Sequence, residues 1–333
     1  MSDETILVTG GAGYIGSHTV RMLAEEAGRK VLVLDNLDYG HREAIISEGV
    51  DLIEGDMADE QLVASIFSDR KISAVIHFAA YTYVGESVSE PVKYYRNNTA
   101  APLVILDAMQ RNGCSRFIFS STCATYGNPV RMPMDETHPQ APINPYGKSK
   151  WFLEQILQDC ERAFGLKSVR LRYFNASGCS PDGRLGEDHD PETHIIPLVL
   201  EAILGRREKI TVFGTDYPTP DGSCVRDYIH ILDLASAHLR ALEHLEKGGD
   251  SVSVNLGTGT GVSVKEIISI AEEVTGKKAP VEYGDRREGD PPELVADPSL
   301  AREVLGWEAK YKDVRETIET AWAWVNGPNG GRY

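Results

Sequence analysis

Tyr146 and Lys150 lie four residues apart in Pro145-Tyr146-Gly147-Lys148-Ser149-Lys150, at the head of a stretch with helical periodicity. On a helix that spacing puts both side chains on one face, so the ammonium can stand beside the phenol and favour its ionised form. A free phenol, with a pKa near ~10, is protonated at neutral pH, and bringing it to about 7 takes roughly 4 kcal/mol. A neighbouring cation and a hydroxyl donor can supply that. The product is a general base suited to a sugar hydroxyl. The second hydroxyl is at hand in Ser120-Ser121-Thr122, which ends an apolar run. Thr122 can hydrogen-bond the reacting oxygen and help pass its proton to Tyr146.

The N-terminus provides for a redox cofactor. Thr9-Gly10-Gly11-Ala12-Gly13-Tyr14-Ile15-Gly16 follows the first apolar run and opens a helical stretch. Gly11, Gly13 and Gly16 satisfy G-x-G-x-x-G, and Gly10, Gly13 and Gly16 the wider G-x-x-G-x-x-G. Small residues there let the backbone approach a pyrophosphate at a helix N-terminus. Asp35 ends the second run, 19 residues beyond Gly16. A carboxylate in that place accepts hydrogen bonds from a ribose and repels a 2'-phosphate, which selects NAD over NADP. Gly55-Asp56-Met57 and Phe78-Ala79-Ala80 follow the third and fourth runs and should face the same crevice. Asp56 can accept from the adenine amino group or cap its own loop.

These residues need a frame. Apolar runs at Ile6 to Thr9, Val31 to Leu34, Asp51 to Ile53, Ala74 to Phe78, Arg116 to Phe119 and Ser168 to Leu171 alternate with helical stretches at 14–27, 59–68, 91–112 and 145–164. That alternation predicts an α/β fold, a doubly wound parallel sheet of Rossmann type spanning residues 1–175. A Gly-, Pro- and Asp-rich passage from Ala176 to Thr193 reads as a junction lining a cleft. Beyond it, 176–333 is expected to form a second, smaller α/β substrate domain, with helices near 195–205, 263–275 and 311–325 and strands near 210–213 and 252–256. The segment 227–245 is a candidate to return to the first domain.

Composition narrows the function. The chain has 333 residues, 41% of them hydrophobic, enough for a substantial core. A net charge of −16 opposes nucleic-acid binding, so an anionic substrate needs its own local arginines. No apolar run reaches the length of a membrane span, and the start Met-Ser-Asp-Glu-Thr lacks the basic character of a secretory signal, which makes the cytoplasm the default. The five cysteines are scattered and show neither C-x-x-C nor a ligand cluster, so neither disulfides nor a metal are expected.

Together with Leu34-Asp35-Asn36-Leu37, His77-Phe78-Ala79-Ala80, Val84-Gly85-Glu86-Ser87, Arg172-Tyr173-Phe174-Asn175, Val225-Arg226-Asp227-Tyr228-Ile229-His230 and Arg286-Arg287-Glu288-Gly289-Asp290, these motifs resemble the extended short-chain dehydrogenase/reductase family, in its UDP-sugar 4-epimerase branch, from about Ile6 to Trp324. The resemblance implies reversible 4-epimerisation of UDP-glucose and UDP-galactose through a 4-keto sugar, with tightly held NAD taking and returning the hydride. It assigns Tyr146 as base, Lys150 to the nicotinamide ribose and to tuning Tyr146, and Thr122 as helper. Tyr14, Ile15, Asn36, Asn97 and Tyr173 join the cofactor contacts, and Asn175, His194, Ile195, Phe213, Arg226, Arg287, Asp290 and Leu294 the substrate contacts. Guanidinium forks at Arg226 and Arg287 suit a diphosphate, and Asp290 a uridine ribose or a loop turn.

Several positions depart from relatives. Thr122-Cys123-Ala124 keeps the helper hydroxyl but gives up a second sugar contact at Ala124, and Ala80-Tyr81-Thr82 lacks a lysine that some relatives place near the cofactor phosphates. His194, where several members have asparagine, suggests pH sensitivity near the ~6.5 of free histidine. Leu294 sits at the family's substrate gate; a leucine of intermediate size leaves acceptance of UDP-GlcNAc open. The alternatives are a UDP-uronate or UDP-pentose 4-epimerase, a decarboxylase, a 4,6-dehydratase and a non-catalytic NAD-binding sensor. A dehydratase needs acid and base groups after Thr122, where Cys123 and Ala124 stand. The resemblance also implies a homodimer through helices near 91–112 and 146–164.

Overall fold

The computed structural model describes residues 4–287 and 289–333; the first three residues and Glu288 of the arginine motif lie outside them. The six apolar runs become β1 (Thr5–Thr9), β2 (Lys30–Asp35), β3 (Asp51–Glu54), β4 (Ile72–His77), β5 (Arg116–Thr122) and β6 (Lys167–Tyr173). The later strands are β7 (Asn175–Ser177), β8 (Ile210–Phe213), β9 (Val225–His230), β10 (Val252–Leu256), β11 (Gly261–Ser263), β12 (Val281–Gly284) and β13 (Glu293–Leu294). Among the described residues, seven strands pair in parallel in the order β10-β6-β5-β4-β1-β2-β3. Chain order reverses beside β1, and the loops at the carboxyl ends of the strands flanking that reversal form a crevice.

The helices are α1 (Tyr14–Arg21), α2 (Glu60–Asp69), α3 (Val84–Ser89), α4 (Pro91–Tyr95), α5 (Pro102–Arg111), α6 (Pro145–Phe164), α7 (Ile195–Ile203), α8 (Ile231–Glu246), α9 (Val264–Thr275), α10 (Ser299–Leu305) and α11 (Val314–Val325). Alternate strand residues go to opposite faces, so Val8, Val33, Ile76 and Ile118 bury against Val20 of α1 and Leu234 and Ala241 of α8. Leu7, Leu32, Val75 and Phe117 bury on the other side against Ile66, Ile105, Met109 and Leu153. A separate core joins Val199, Leu200, Ile267, Ile318 and Trp324 of the second part, which carries the four-stranded sheet of β7, β9, β11 and β13 and the pair β8 and β12.

Two expectations change. The helix predicted over 91–112 is broken: α4 passes into a wide turn at Arg96–Ala100, where Ala101 N–H bonds Arg96 O at 2.9 Å, before α5 starts at Pro102. Pro102 has no N–H and its ring crowds the carbonyl four residues back, and the wider turn accommodates both. The strand at 252–256, expected in the second part, pairs with β6 at the sheet edge, Val252 to Val169 through Leu256 to Tyr173. With α8 packed on α1 and over β5 and β6, the returning segment runs from about residue 231 to 256, starting later than the expected 227–245, because 227–230 belong to β9 of the second sheet, and extending past its end through β10.

Candidate active site

Gly10 has φ of +72°, and a side chain there would press into the Ala79 backbone. Gly16 faces the Gly10 carbonyl just as closely. Gly13 caps α1 without any side-chain bond, and the first turn carries no acidic residue. The helix end therefore offers N–H groups and a positive dipole to an anion. At the end of β2 Asp35 is fixed by Ala12 N–H on one oxygen and Leu37 N–H on the other, both at 2.9 Å. Burial raises its pKa above the usual carboxylate range, and those two donors offset only part of the rise. This uncapped helix, close-fitting glycine turn and braced carboxylate fit a dinucleotide.

A cleft of about 490 Å³ opens on these residues. All the expected cofactor positions line it: Gly10, Gly13, Tyr14, Ile15, Gly16, Asp35, Asn36, Asp56, Met57, Phe78, Ala79, Ala80, Asn97, Tyr146, Lys150 and Tyr173. Several carry other duties as well, among them Tyr14 and Asp56. Tyr14 OH donates to Gly178 O, tying the glycine turn to the 176–193 passage, and Asp56 Oδ1 accepts from Ala58 N–H at 2.8 Å as a loop cap.

Asn144 caps α6 by accepting from Gly147 N–H at 2.8 Å, and Pro145 occupies the first turn, where a missing N–H costs nothing. A Cβ on Gly147 would stand 2.5 Å from Ala124 O, so glycine lets the head of α6 rest on the Cys123–Thr125 turn. That contact sets Tyr146 beside Thr122. Burial pushes the Tyr146 phenol up to about 12, and the Thr122 hydroxyl is the neighbour that draws it down. Lys150, 2% exposed, donates from Nζ to Ser120 O at 2.9 Å, and burial lowers it to about 7. The expected tuning of the phenol by the ammonium is thus not what the protein alone displays. Lys150 is held by the strand end, and the Ser120 hydroxyl bonds Tyr173 OH.

Residues behind this wall brace it, and only the motif His77-Phe78-Ala79-Ala80 marked one of them in the sequence. His77 ends β4, bonds Thr9 Oγ1 at 2.7 Å and is lowered to about 3 by burial and then by Lys150, so it is neutral. Asn98, in the wide turn, accepts from Tyr81 N–H at 2.9 Å and donates to Ser149 Oγ at 3.1 Å, linking the loop after β4 to α6. Glu154, one turn beyond Lys150, receives Arg172 Nε at 2.9 Å, Ser121 Oγ at 2.6 Å and Gln140 Nε2 at 2.9 Å. These bonds lock α6 onto β5 and β6.

Thr122, Asn175, His194, Asp290 and Leu294 line the same cleft, which meets a second cavity of about 210 Å³ bounded by Asn175, His194, Ile195, Arg226, Arg287 and Asp290. Arg226 on β9 pairs with Asp290, and the Arg287 guanidinium lies 3.9 Å from the Phe213 ring centroid. Phe213 supports Arg287 from outside both cavities' linings. Asp227, beside Arg226, is wholly buried and accepts from Thr258 N–H, Thr258 Oγ1, Gly259 N–H and Ala296 N–H, a structural role. For His194 the expected sensitivity near free histidine fails. Burial lowers its pKa, but the Glu187 and Glu192 carboxylates outweigh that and hold it well above the usual value.

Fold and cleft define a class: doubly wound dinucleotide-binding proteins whose cofactor crevice is walled by a threonine, a tyrosine and a lysine. Within it, the chain belongs to the NAD dependent epimerase/dehydratase family, whose model matches residues 6–257. It is 54% identical over 324 residues to a UDP-glucose 4-epimerase of Rhizobium leguminosarum bv. trifolii, covering 97% of this chain and 98% of that one. The structure of a UDP-glucose 4-epimerase from Brucella ovis in complex with NAD matches at TM-score 0.94 and 49% identity over 98% of each chain. A UDP-glucose 4-epimerase from Bifidobacterium longum in complex with NAD+ and UDP matches at 0.93 and 38% identity, over 98% of this chain and 99% of that one.

Proposed function

We propose that the chain interconverts UDP-glucose and UDP-galactose by inverting C4, using bound NAD. The observation that carries this is the single wall formed by Thr122, Tyr146 and Lys150, between the glycine turn and the cavity of Arg226, Arg287 and Asp290. NAD, when bound, accepts a hydride from C4 and gives it back. Tyr146 takes the 4-hydroxyl proton with Thr122 bridging, and returns it once the sugar has turned over. Lys150, beside Ser120 O, is placed to hold the nicotinamide ribose. Arg287, and Arg226 with its charge shared by Asp290, clamp the diphosphate, while Asn175, His194 and Ile195 close the nucleotide cavity. Cys123 is no acid or base for elimination, because burial raises its thiol to about 12. That argues against a 4,6-dehydratase.

Residues 1–175 with the returning segment hold the cofactor in this scheme, and the remainder holds the UDP-sugar. Val88, Val92, Leu103 and Phe152 stand exposed on α3 to α6, which supports a homodimer through those helices. No described helix is long and apolar enough to cross a membrane, and the five cysteines are free thiols, which supports a cytoplasmic setting. The test is conversion of UDP-galactose, followed through a dehydrogenase specific for UDP-glucose. Wild type should turn over without net oxidation and Tyr146→Phe should lose at least ~100-fold in kcat with NAD retained. No turnover by NAD-loaded wild type would sink the proposal.

A further inference from the structure

The junction between the two halves contains Glu187-Asp188-His189-Asp190-Pro191-Glu192-Thr193-His194. We propose that Glu187, His189, Glu192 and His194 bind one divalent transition-metal ion, zinc by its ligand chemistry, at the rim of the cleft. The four side chains bring one ligand atom each to within 4.8 Å of all the others. His189 Nδ1 stands 3.2 Å from Glu187 Oε1 and 3.6 Å from Glu192 Oε2. His194 Nδ1 stands 2.8 Å from Glu187 Oε1 and 2.9 Å from Glu192 Oε1. Ligands on a tetrahedral zinc with bonds of about 2.0–2.1 Å are roughly 3.3 Å apart, so these separations match the edges of one coordination sphere after small shifts.

Alignment gives an independent sign. Glu187 is 7% exposed, and neither its Oε1 nor His189 Nδ1 has a hydrogen-bond partner among the described residues, although the two atoms are 3.2 Å apart. Glu187 Oε1 is offset by His194 Nδ1 at 2.8 Å, but His189 Nδ1 has no aligned partner, and a cation shared by all four ligands would satisfy it. Two imidazoles and two carboxylates suit zinc, and the carboxylates neutralise its charge.

The surroundings hold the ligands in place. Glu192 Oε1 accepts from Thr193 N–H and His194 N–H, both at 2.6 Å, and Glu187 O accepts from Trp324 Nε1 at 3.1 Å. Asp188 is held by Tyr333 N–H at 3.1 Å and Arg332 Nη1 at 2.5 Å, and Pro191 O by Tyr83 OH at 2.9 Å. Outer contacts of this kind orient metal ligands. The His189 ring meets Tyr14 of the glycine turn edge-on at 5.9 Å, and His194 caps the start of α7. An ion here fastens the junction between the cofactor turn and the nucleotide cavity. The cysteines had pointed away from a metal; the signal lay in glutamates and histidines alternating at short intervals.

Full-length protein, stripped with a chelator and dialysed, is titrated with zinc chloride against a chromophoric competitor, and separately with cobalt chloride. The site should take up about one zinc per chain and raise the thermal midpoint, and cobalt should show the intense visible bands of a four-coordinate ion. Glu192→Gln and His189→Gln, each checked for folding by NAD content, should weaken zinc by more than the ~10–100-fold expected for losing an outer-shell partner. If His189→Gln does not fold, the conservative Glu192→Gln decides. Absence of stoichiometric zinc, or uptake unchanged in a folded variant, overturns the site in favour of two imidazolium–carboxylate pairs.

Discussion

Lys150 and Tyr146 are both displaced from their ordinary protonation by burial, one down to about 7 and the other up to about 12. In the folded protein without cofactor, Lys150 sheds its proton far below the usual lysine range. Between about pH 7 and about pH 10 the unfolded chain therefore holds more protons on this residue than the fold does, so its contribution to stability rises with pH. Replacing Lys150 with Met should raise the thermal midpoint of cofactor-free protein most near pH 7, with the gain shrinking toward pH 10. A gain independent of pH would show that the amine is not titrating in that window. In the same cleft, Leu294 pairs across from Arg226 and packs against the cluster that includes Phe174 and borders Cys123. Leu294→Tyr should lower UDP-GlcNAc turnover at least ~10-fold relative to UDP-glucose, as for a pocket that loses room. Equal turnover of the N-acetyl sugar by variant and wild type would remove Leu294 from specificity. That Tyr146, Lys150 and Thr122 share one cleft was legible in the sequence because they occur at fixed spacings behind a glycine turn. Asn98 was not, and the role of His77 was not although its motif was, since each draws its meaning from partners distant in the chain.

Helix α6 carries Tyr146 and Lys150 and is held at both ends of its first half. Gly147 allows the close seat on the Cys123–Thr125 turn, and Glu154 anchors the next turns to Arg172, whose Nη1 also donates to Tyr126 OH at 2.9 Å. Burial opposes the Glu154 charge, but Arg172, then Ser121 and Gln140, keep it below the usual carboxylate range. Glu154→Gln leaves Arg172 buried without its counter-charge and should cost ~3–5 kcal/mol in chemical denaturation. The double variant Glu154→Leu with Arg172→Met should recover most of that loss, because an apolar pair of similar bulk carries no desolvation penalty. A single-variant loss below ~1 kcal/mol would mean that the pair does not position α6. The span of α6 could be read from periodicity and from the Asn144-Pro145 start. The break in the helix over 91–112 could have been suspected from Pro102, but the turn that absorbs it is fixed by Asn98 and its tertiary partners.

At the scale of the whole molecule, β10 and α8 return from the second part to complete the first sheet, so the two adjoining cavities share a frame built from both halves of the chain. Periodicity identified β10 as a strand but not its sheet, because pairing is decided by α8 crossing over β5 and β6. The exposed Val88 and Val92, 64% and 65% accessible, give the proposed dimer a specific test. Wild type should sediment as a dimer and Val92→Asp as a monomer with its NAD intact; a monomeric wild type would refute the assembly. In the proposed reaction one cleft removes a hydride from C4 and returns it to the same carbon, with Tyr146 managing only the hydroxyl proton. Conversion of UDP-galactose bearing deuterium at C4, in ordinary water, tests this directly. The UDP-glucose formed should keep its deuterium at C4, and loss of that label to solvent would contradict hydride return.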